Sequence, residues 1–427
     1  MNLSAAIKAR LTLLSFFQFF VWGAWLTTIG TYCTQGKGWD FPQFGAIFST
    51  LALSSILMPS IIGIIADKWL RAERLYGILH LTYAVFMLLI PNLKALQTGI
   101  PFLQKMEEYE LLYWIVFGGM LAYMPSISLS NSVSYRILKM NNLDVQKDFP
   151  KIRVWGTIGF IAAMWLTNLS GSKANVNQFY IAGLGALILG IYAFTLPACH
   201  PQGQTDEKKS LASQLGLDAF KLFTEYRMAL FFVFSILLGA ALQLSNMYGD
   251  AYLSSFPKGT LVEKYSTIIY SISQVSETIF ILTIPFFLKK FGIKNVMLFA
   301  LIAWVLRYGF FAYGSADFGL VLIVLSCVVY GMAFDFFLIS GSMFVEANTE
   351  SSIRSSAQGL FIMMTNGIGA FIGTKASGFL IGKYYVLPDG QTNWHGAWLL
   401  FAAYSLVVAI LFLLLFKDKQ NRHQIDV

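Results

Sequence analysis

Long apolar runs separated by short polar ones make up almost the whole chain. A helix crossing a bilayer needs about 20 mostly apolar residues. Twelve stretches meet that need: 11–32, 42–66, 75–93, 111–133, 152–170, 178–198, 228–250, 265–288, 293–314, 318–345, 353–382 and 394–416. The longest polar interruption, His200–Arg227, falls after the sixth. The pattern predicts an all-α membrane protein with twelve transmembrane helices in two pseudo-symmetric halves. Residues 1–199 form an N-terminal six-helix half, 200–227 a cytoplasmic linker loop, and 228–427 a C-terminal six-helix half. Within the linker, Leu211–Phe223 reads either as an amphipathic surface helix or as a plain solvated connector. Pro59, Pro125 and Pro285 are expected to interrupt the second, fourth and eighth spans. Gly367, Gly369, Gly373, Gly378 and Gly382 stud the eleventh, for close backbone approach or for hinging.

Composition fixes the solvent. Of the 427 residues 56% are hydrophobic and 12% charged, against about 25% charged in soluble domains. So much apolar surface is stable only in lipid. The net charge of +8 is spread over short loops rather than gathered in a stripe, which excludes a nucleic-acid binder. With both termini inside, basic residues in inner segments outnumber those in outer segments roughly three to one. The termini are therefore expected in the cytoplasm of a bacterial inner membrane. Only Arg307 and Lys375 of the basic residues fall within predicted spans. Cys33, Cys199 and Cys327 share no close spacing, and His80, His200, His395 and His423 form no ligand motif. Neither a disulfide framework nor a metal site is predicted.

Polar groups inside hydrocarbon carry the chemistry, because a charge at the bilayer centre costs about 2.5–3.5 kcal/mol. Glu277 and Asp335 lie near the middle of the eighth and tenth spans. Their plain reading is pairing, Glu277 with Arg307 and Asp335 with Lys375. Other polar and aromatic residues fall at helical spacing: Gln243 and Asn246; Gln274 and Glu277; Tyr330 and Phe334; Arg153, Thr157 and Phe160; Gln18, Trp22 and Trp25. Amides and carboxylates bond hydroxyls and ring edges, while Phe and Tyr stack on ring faces. Such a set suits a ligand with a flat polar ring and hydroxyls, or a sugar, and any single pair serves equally as glue between helices.

The loop after the second span, with Gly63, Asp67, Lys68, Arg71 and Arg74, resembles the G-x-x-x-D-[RK]-x-G-[RK]-[RK] signature of the major facilitator superfamily. The loop glycine of that signature is absent here. The resemblance implies a conformational latch at Asp67, Lys68, Arg71 and Arg74. The second half echoes the loop in FFLKKFGIKNVMLF, 286–299.

A closer likeness runs through KIRVWGTIGF (151–160), LLGAALQLSNMYGD (237–250), SISQVSETIFILTIPFF (271–287), VVYGMAFDFFLISGSMFVE (328–346), AQGLFIMMTNGIG (357–369) and FFQFFVWGAWLTTIGTY (16–32). These stretches are similar to the bacterial nucleoside:proton symporters. The resemblance implies proton-coupled uptake of purine and pyrimidine nucleosides, with no catalytic residues and no cofactor beyond the coupling proton, by a monomer. It assigns substrate binding to Arg153, Thr157, Phe160, Gln243, Asn246, Gln274, Glu277, Tyr330, Phe334 and Asp335. Lys375 does not match the family pattern.

Uphill uptake needs an energy source. No GxxxxGK[ST] loop is present for ATP. Burial favours the neutral form of a carboxyl, so Glu277 and Asp335 are the expected proton carriers. The expected cycle rocks one half over the other around a central site. Two other readings are a symporter of the same fold for another small polar solute, and a membrane receptor that transports nothing.

Overall fold

The computed structural model describes residues 3–201, 217–350 and 353–416. It divides into two compact units, Met1–Leu215 and Gly216–Val427. Among the described residues nine helices are long and apolar enough to cross a membrane.

The first unit holds α1 (Leu3–Gly23), α2 (Phe41–Lys68), α3 (Ala72–Leu89), α4 (Glu108–Met140), α5 (Val145–Leu169) and α6 (Asn177–Ala193). Side chains set several starts. The Asp40 carboxylate accepts from the Gln43 amide at 2.7 Å while the Gln43 side chain accepts from the Asp40 amide at 3.1 Å, a reciprocal cap that begins α2. Asp144 caps α5 by accepting from the Gln146 and Lys147 amides at 2.9 and 3.2 Å. The span expected at 11–32 is not one rod. It loosens to turns over 24–28, regains one helical turn at Ile29–Thr31, and ends in a π-helical stretch, Tyr32–Gly36.

The second unit holds α7 (Tyr226–Ser254), α8 (Ser266–Ala312), α9 (Leu320–Ala347), α10 (Arg354–Ile362), α11 (Ala370–Tyr384) and α12 (Trp394–Leu415). The spans expected at 265–288 and 293–314 are the two arms of α8. They join without a loop at Gly292, whose φ of 76° and ψ of 166° no L side chain adopts comfortably. The eleventh span is α10 and α11, joined by a π-helical segment, Met363–Gly369.

The proline expectation is overturned. Pro59, Pro125 and Pro285 lie inside α2, α4 and α8, and each helix runs through. In lipid the freed backbone groups find local partners, so a lone proline need not end a helix. The irregularities sit elsewhere, at 24–28, 32–36 and 363–369. Much of the predicted Leu211–Phe223 helix lies outside the described residues; its described part belongs to a 3-10 helix, Leu217–Thr224, not an α-helix.

The same kind of crossing recurs in each unit. Along α1 and α5, a Cβ on Gly159 would lie 2.1 Å from the Phe16 carbonyl oxygen, and one on Gly23 2.5 Å from that of Phe160. Along α7 and the 363–384 segment, a Cβ on Gly239 would lie 2.1 Å from the Thr365 carbonyl oxygen, and one on Gly369 2.4 Å from that of Ile236. Only glycine lets backbones approach so closely. The first helix of each unit is thus locked to a later one through bare backbone.

The signature loop is tied down within the first unit. Arg136 donates to the Asp67 carboxylate, and Arg71 lies 2.7 Å from Glu73. Glu73 also accepts from the Cys199 amide at 2.8 Å. Burial pushes the Cys199 thiol up to about 11, which leaves it unreactive at neutral pH. Lys68 ends α2, and Arg74 is exposed.

Candidate functional site

In the first unit the Gly156 and Gly159 contacts press one face of α5 against α1. Arg153 and Phe160 lie on that side of α5, and the half-buried Thr157 falls between them at helical spacing. The Arg153 guanidinium lies 3.9 Å from the centre of the Phe19 ring, a cation–π contact that orients it. The Phe160 ring meets Trp22 edge-on, with centroids 6.1 Å apart and planes at 85°. Trp22 also packs against Tyr123 at 5.6 Å, and its indole N–H is buried with no hydrogen-bond partner. A buried donor left unsatisfied costs about 1–3 kcal/mol.

The other two members of the α1 set are already engaged. The Gln18 side-chain oxygen accepts from the Tyr76 hydroxyl at 2.5 Å and lies 3.0 Å from His80 Nε2, and its amide nitrogen donates to the Ser126 hydroxyl at 3.1 Å. The Trp25 indole donates to the Tyr83 hydroxyl at 2.6 Å. Both residues are glue between helices. Sequence spacing alone does not tell them from Trp22, because their partners come from α3 and α4.

In the second unit Gln243 and Asn246 lie half-buried on α7, with the Asn246 amide 3.5 Å from the Gln243 side-chain oxygen. Gln274 and Glu277 lie half-buried on the first arm of α8. Between them Ser276 donates to the Val328 carbonyl, and a Cβ on Gly331 would lie 2.5 Å from the Ser276 carbonyl oxygen. This crossing brings α9 beside the Gln274–Glu277 face. There Tyr330 and Phe334 stack, with centroids 5.5 Å apart and planes at 26°. Asp335 is 5% exposed, and its Oδ2 has no hydrogen-bond partner. The same crossing sets the backbone of Glu277 against Gly331, one helical turn before Asp335.

Neither expected ion pair forms. Arg307 is fully buried, and all its hydrogen-bond partners among the described residues are neutral: Ser245, Tyr270, Ser273 and the Ser326 carbonyl. Lys375 is exposed on α11 and enters no ion pair among the described residues. Arg307 has its hydrogen bonds satisfied in place by neutral groups. The residues that spacing missed are Ser245, Ser273 and Ser326. They read as ordinary small helix residues, and only their contact with Arg307 marks them.

Each unit therefore presents an aromatic plane beside hydrogen-bonding groups, and the second adds two carboxylates. That chemistry can grip a flat ring with hydroxyls and hold or release a proton.

Comparison with known proteins agrees with this chemistry. A family model described as Nucleoside H+ symporter matches residues 5–421. The chain is 45% identical over 422 residues to the nucleoside permease NupG of Escherichia coli (strain K12), covering 97% of both. It is 45% identical over 427 residues to the xanthosine permease of the same organism, covering 98% of both. A crystal structure of nucleoside transporter NupG superposes with a TM-score of 0.87, covering 98% of this chain and 100% of that one.

Proposed function

The chain belongs to the nucleoside H+ symporter family, and we propose that it takes up purine and pyrimidine nucleosides with protons by alternating access. It is a multi-pass membrane transporter and not an enzyme. The finer reading is twelve spans in two halves of six, in a bacterial inner membrane, with cytoplasmic termini and a monomer as the working unit. The ribose hydroxyls bond Gln243, Asn246, Gln274 and Glu277. The base stacks on Phe334 and Phe160, with Tyr330, Thr157 and Arg153 at its polar edges. Asp335 and Glu277 carry the proton, and Asp67, Lys68, Arg71 and Arg74 act as the latch.

The observation that carries this reading is the crossing of α8 and α9, which sets the Gln274–Glu277 face beside the stacked Tyr330–Phe334 pair and Asp335. A sugar carrier needs hydroxyl-binding groups too, but the family match favours nucleosides. The test is proton movement in proteoliposomes: adding uridine or adenosine outside should acidify the lumen, and galactose should not. No nucleoside-driven proton entry from any of a nucleoside panel would overturn the proposal.

Two substitutions follow from the assigned roles. Gln274→Ala removes one or two hydrogen bonds to a hydroxyl, each worth about 0.5–1.5 kcal/mol, and should raise the KM for uridine about tenfold. Phe334→Ala removes a stacking plane, worth about 1–3 kcal/mol per base, and should raise KM by roughly 10- to 100-fold. Initial-rate uptake at graded uridine concentrations reads both effects.

A further inference from the structure

Arg307 sits on the second arm of α8 and is fully buried. Burying a guanidinium without a carboxylate is costly, and such a group persists only where its donors are used. Here they are. Nε and Nη2 donate to the Ser245 hydroxyl at 2.8 and 2.6 Å, and Nη2 lies 3.2 Å from the Tyr270 hydroxyl. Nη1 donates to the Ser326 carbonyl at 2.8 Å and the Ser273 hydroxyl at 3.3 Å. The Ser326 hydroxyl returns a bond to the Arg307 carbonyl at 2.8 Å.

The positions of those partners give the contact its meaning. Ser245 stands between Gln243 and Asn246 on α7. Ser273 immediately precedes Gln274 on α8. Ser326 is one turn before Tyr330 on α9. The guanidinium also lies 4.3 Å from the centre of the Tyr330 ring, and that ring stacks on Phe334. One planar, rigid fork thus touches the backs of all three segments that carry the second unit's candidate ligands. A flexible ammonium makes fewer such bonds and fixes none of the angles.

We propose that Arg307 is a positioning residue for nucleoside binding: it holds Gln243 and Asn246, Gln274 and Glu277, and the Tyr330–Phe334 stack in one register. Its charge faces hydroxyls, a carbonyl and the Tyr330 ring. The inference rests on the site reading above, so its test includes a variant of that site.

The experiment compares Arg307→Lys, Arg307→Gln, Ser245→Ala and Gln274→Ala in proteoliposomes. It measures uridine KM, maximal rate, labelled-uridine binding, and melting of the purified protein. The Arg307 variants should raise KM and the binding constant about tenfold, with maximal rate per folded molecule within about twofold. Lysine should rescue affinity only in part, because it restores the charge and not the fork. Ser245→Ala should raise KM about threefold. A merely structural brace would lower melting temperature and yield and leave KM at the wild-type value, and that result overturns the proposal. If the Arg307 variants do not fold, an unchanged KM for Ser245→Ala overturns it. A raised KM for Gln274→Ala alone sinks the positioning role and keeps the site. Unchanged KM in all four sinks both.

Discussion

Asp335→Asn will abolish accumulation of nucleoside against a gradient while leaving exchange of labelled for unlabelled nucleoside measurable. One proton crossing with 100 mV contributes about 2.3 kcal/mol, enough for roughly 50-fold accumulation. A variant that cannot take the proton should reach a ratio of about 1. Asp335 is the sharper of the two tests. It is almost fully enclosed, and one of its oxygens has no hydrogen-bond partner. A negative charge enclosed in a low-dielectric interior is costly, and a proton removes that cost. Asparagine keeps the shape and removes the choice. Glu277→Gln should also bring accumulation to about 1, but with weaker exchange, because Glu277 is assigned a bond to ribose as well. The readout is the steady-state ratio of labelled uridine inside and outside energised vesicles, beside counterflow without a gradient. Normal concentrative uptake by both variants would remove these carboxyls from the coupling mechanism.

Gly159→Val and Gly239→Val will each cut recovery of folded protein about tenfold. Overpacking usually costs about 1–3 kcal/mol because side chains can shift aside. Here the added carbon meets backbone: the Phe16 carbonyl oxygen at 2.1 Å in one case and that of Thr365 at 2.1 Å in the other. Relief requires moving the α1 backbone away from α5, or the 363–369 backbone away from α7, at the crossing itself. Gly63→Ala and Gly359→Ala are the controls, since a Cβ at either site meets nothing within 4 Å. Size-exclusion profiles of detergent-extracted protein should show the monodisperse peak reduced about tenfold for the valine variants and unchanged for the controls. Comparable peaks in all four would mean that these crossings are looser than their geometry.

How far the sequence reaches differs from residue to residue. Glu277 and Asp335 stand out unaided, because a carboxylate among apolar residues has few structural excuses in lipid. Gln18 and Gln243 look alike in the sequence, each on an aromatic or amide stripe at helical spacing. Yet Gln18 is consumed by Tyr76, His80 and Ser126, while Gln243 is half-buried beside Asn246. Arg307 was legible as a buried cation but not as a hub, since its serines carry no mark of their own. Its expected pair with Glu277 fails because neutral partners already satisfy it.

Hydropathy by itself determined that the chain lies in a membrane as helices, and it placed most apolar spans correctly, though α1 covers Leu3–Gly23 rather than 11–32 and α5 begins at Val145 rather than 152. The physical reason is that lipid offers backbone groups no partner, so each span must satisfy its own. Composition also singled out the few charges that hydrocarbon does not tolerate for nothing. Only the tertiary structure decided where the helical backbone departs from the α pattern, at Gly292 and the two π-helical segments. It alone separated Gln18 and Trp25, held between helices by Tyr76, His80, Ser126 and Tyr83, from the half-buried polar faces of α7 and α8. Those outcomes depend on which helices cross and at what distance. Crossing is set by glycines meeting distant backbone and by hydrogen bonds between residues far apart in the chain, which no local pattern records.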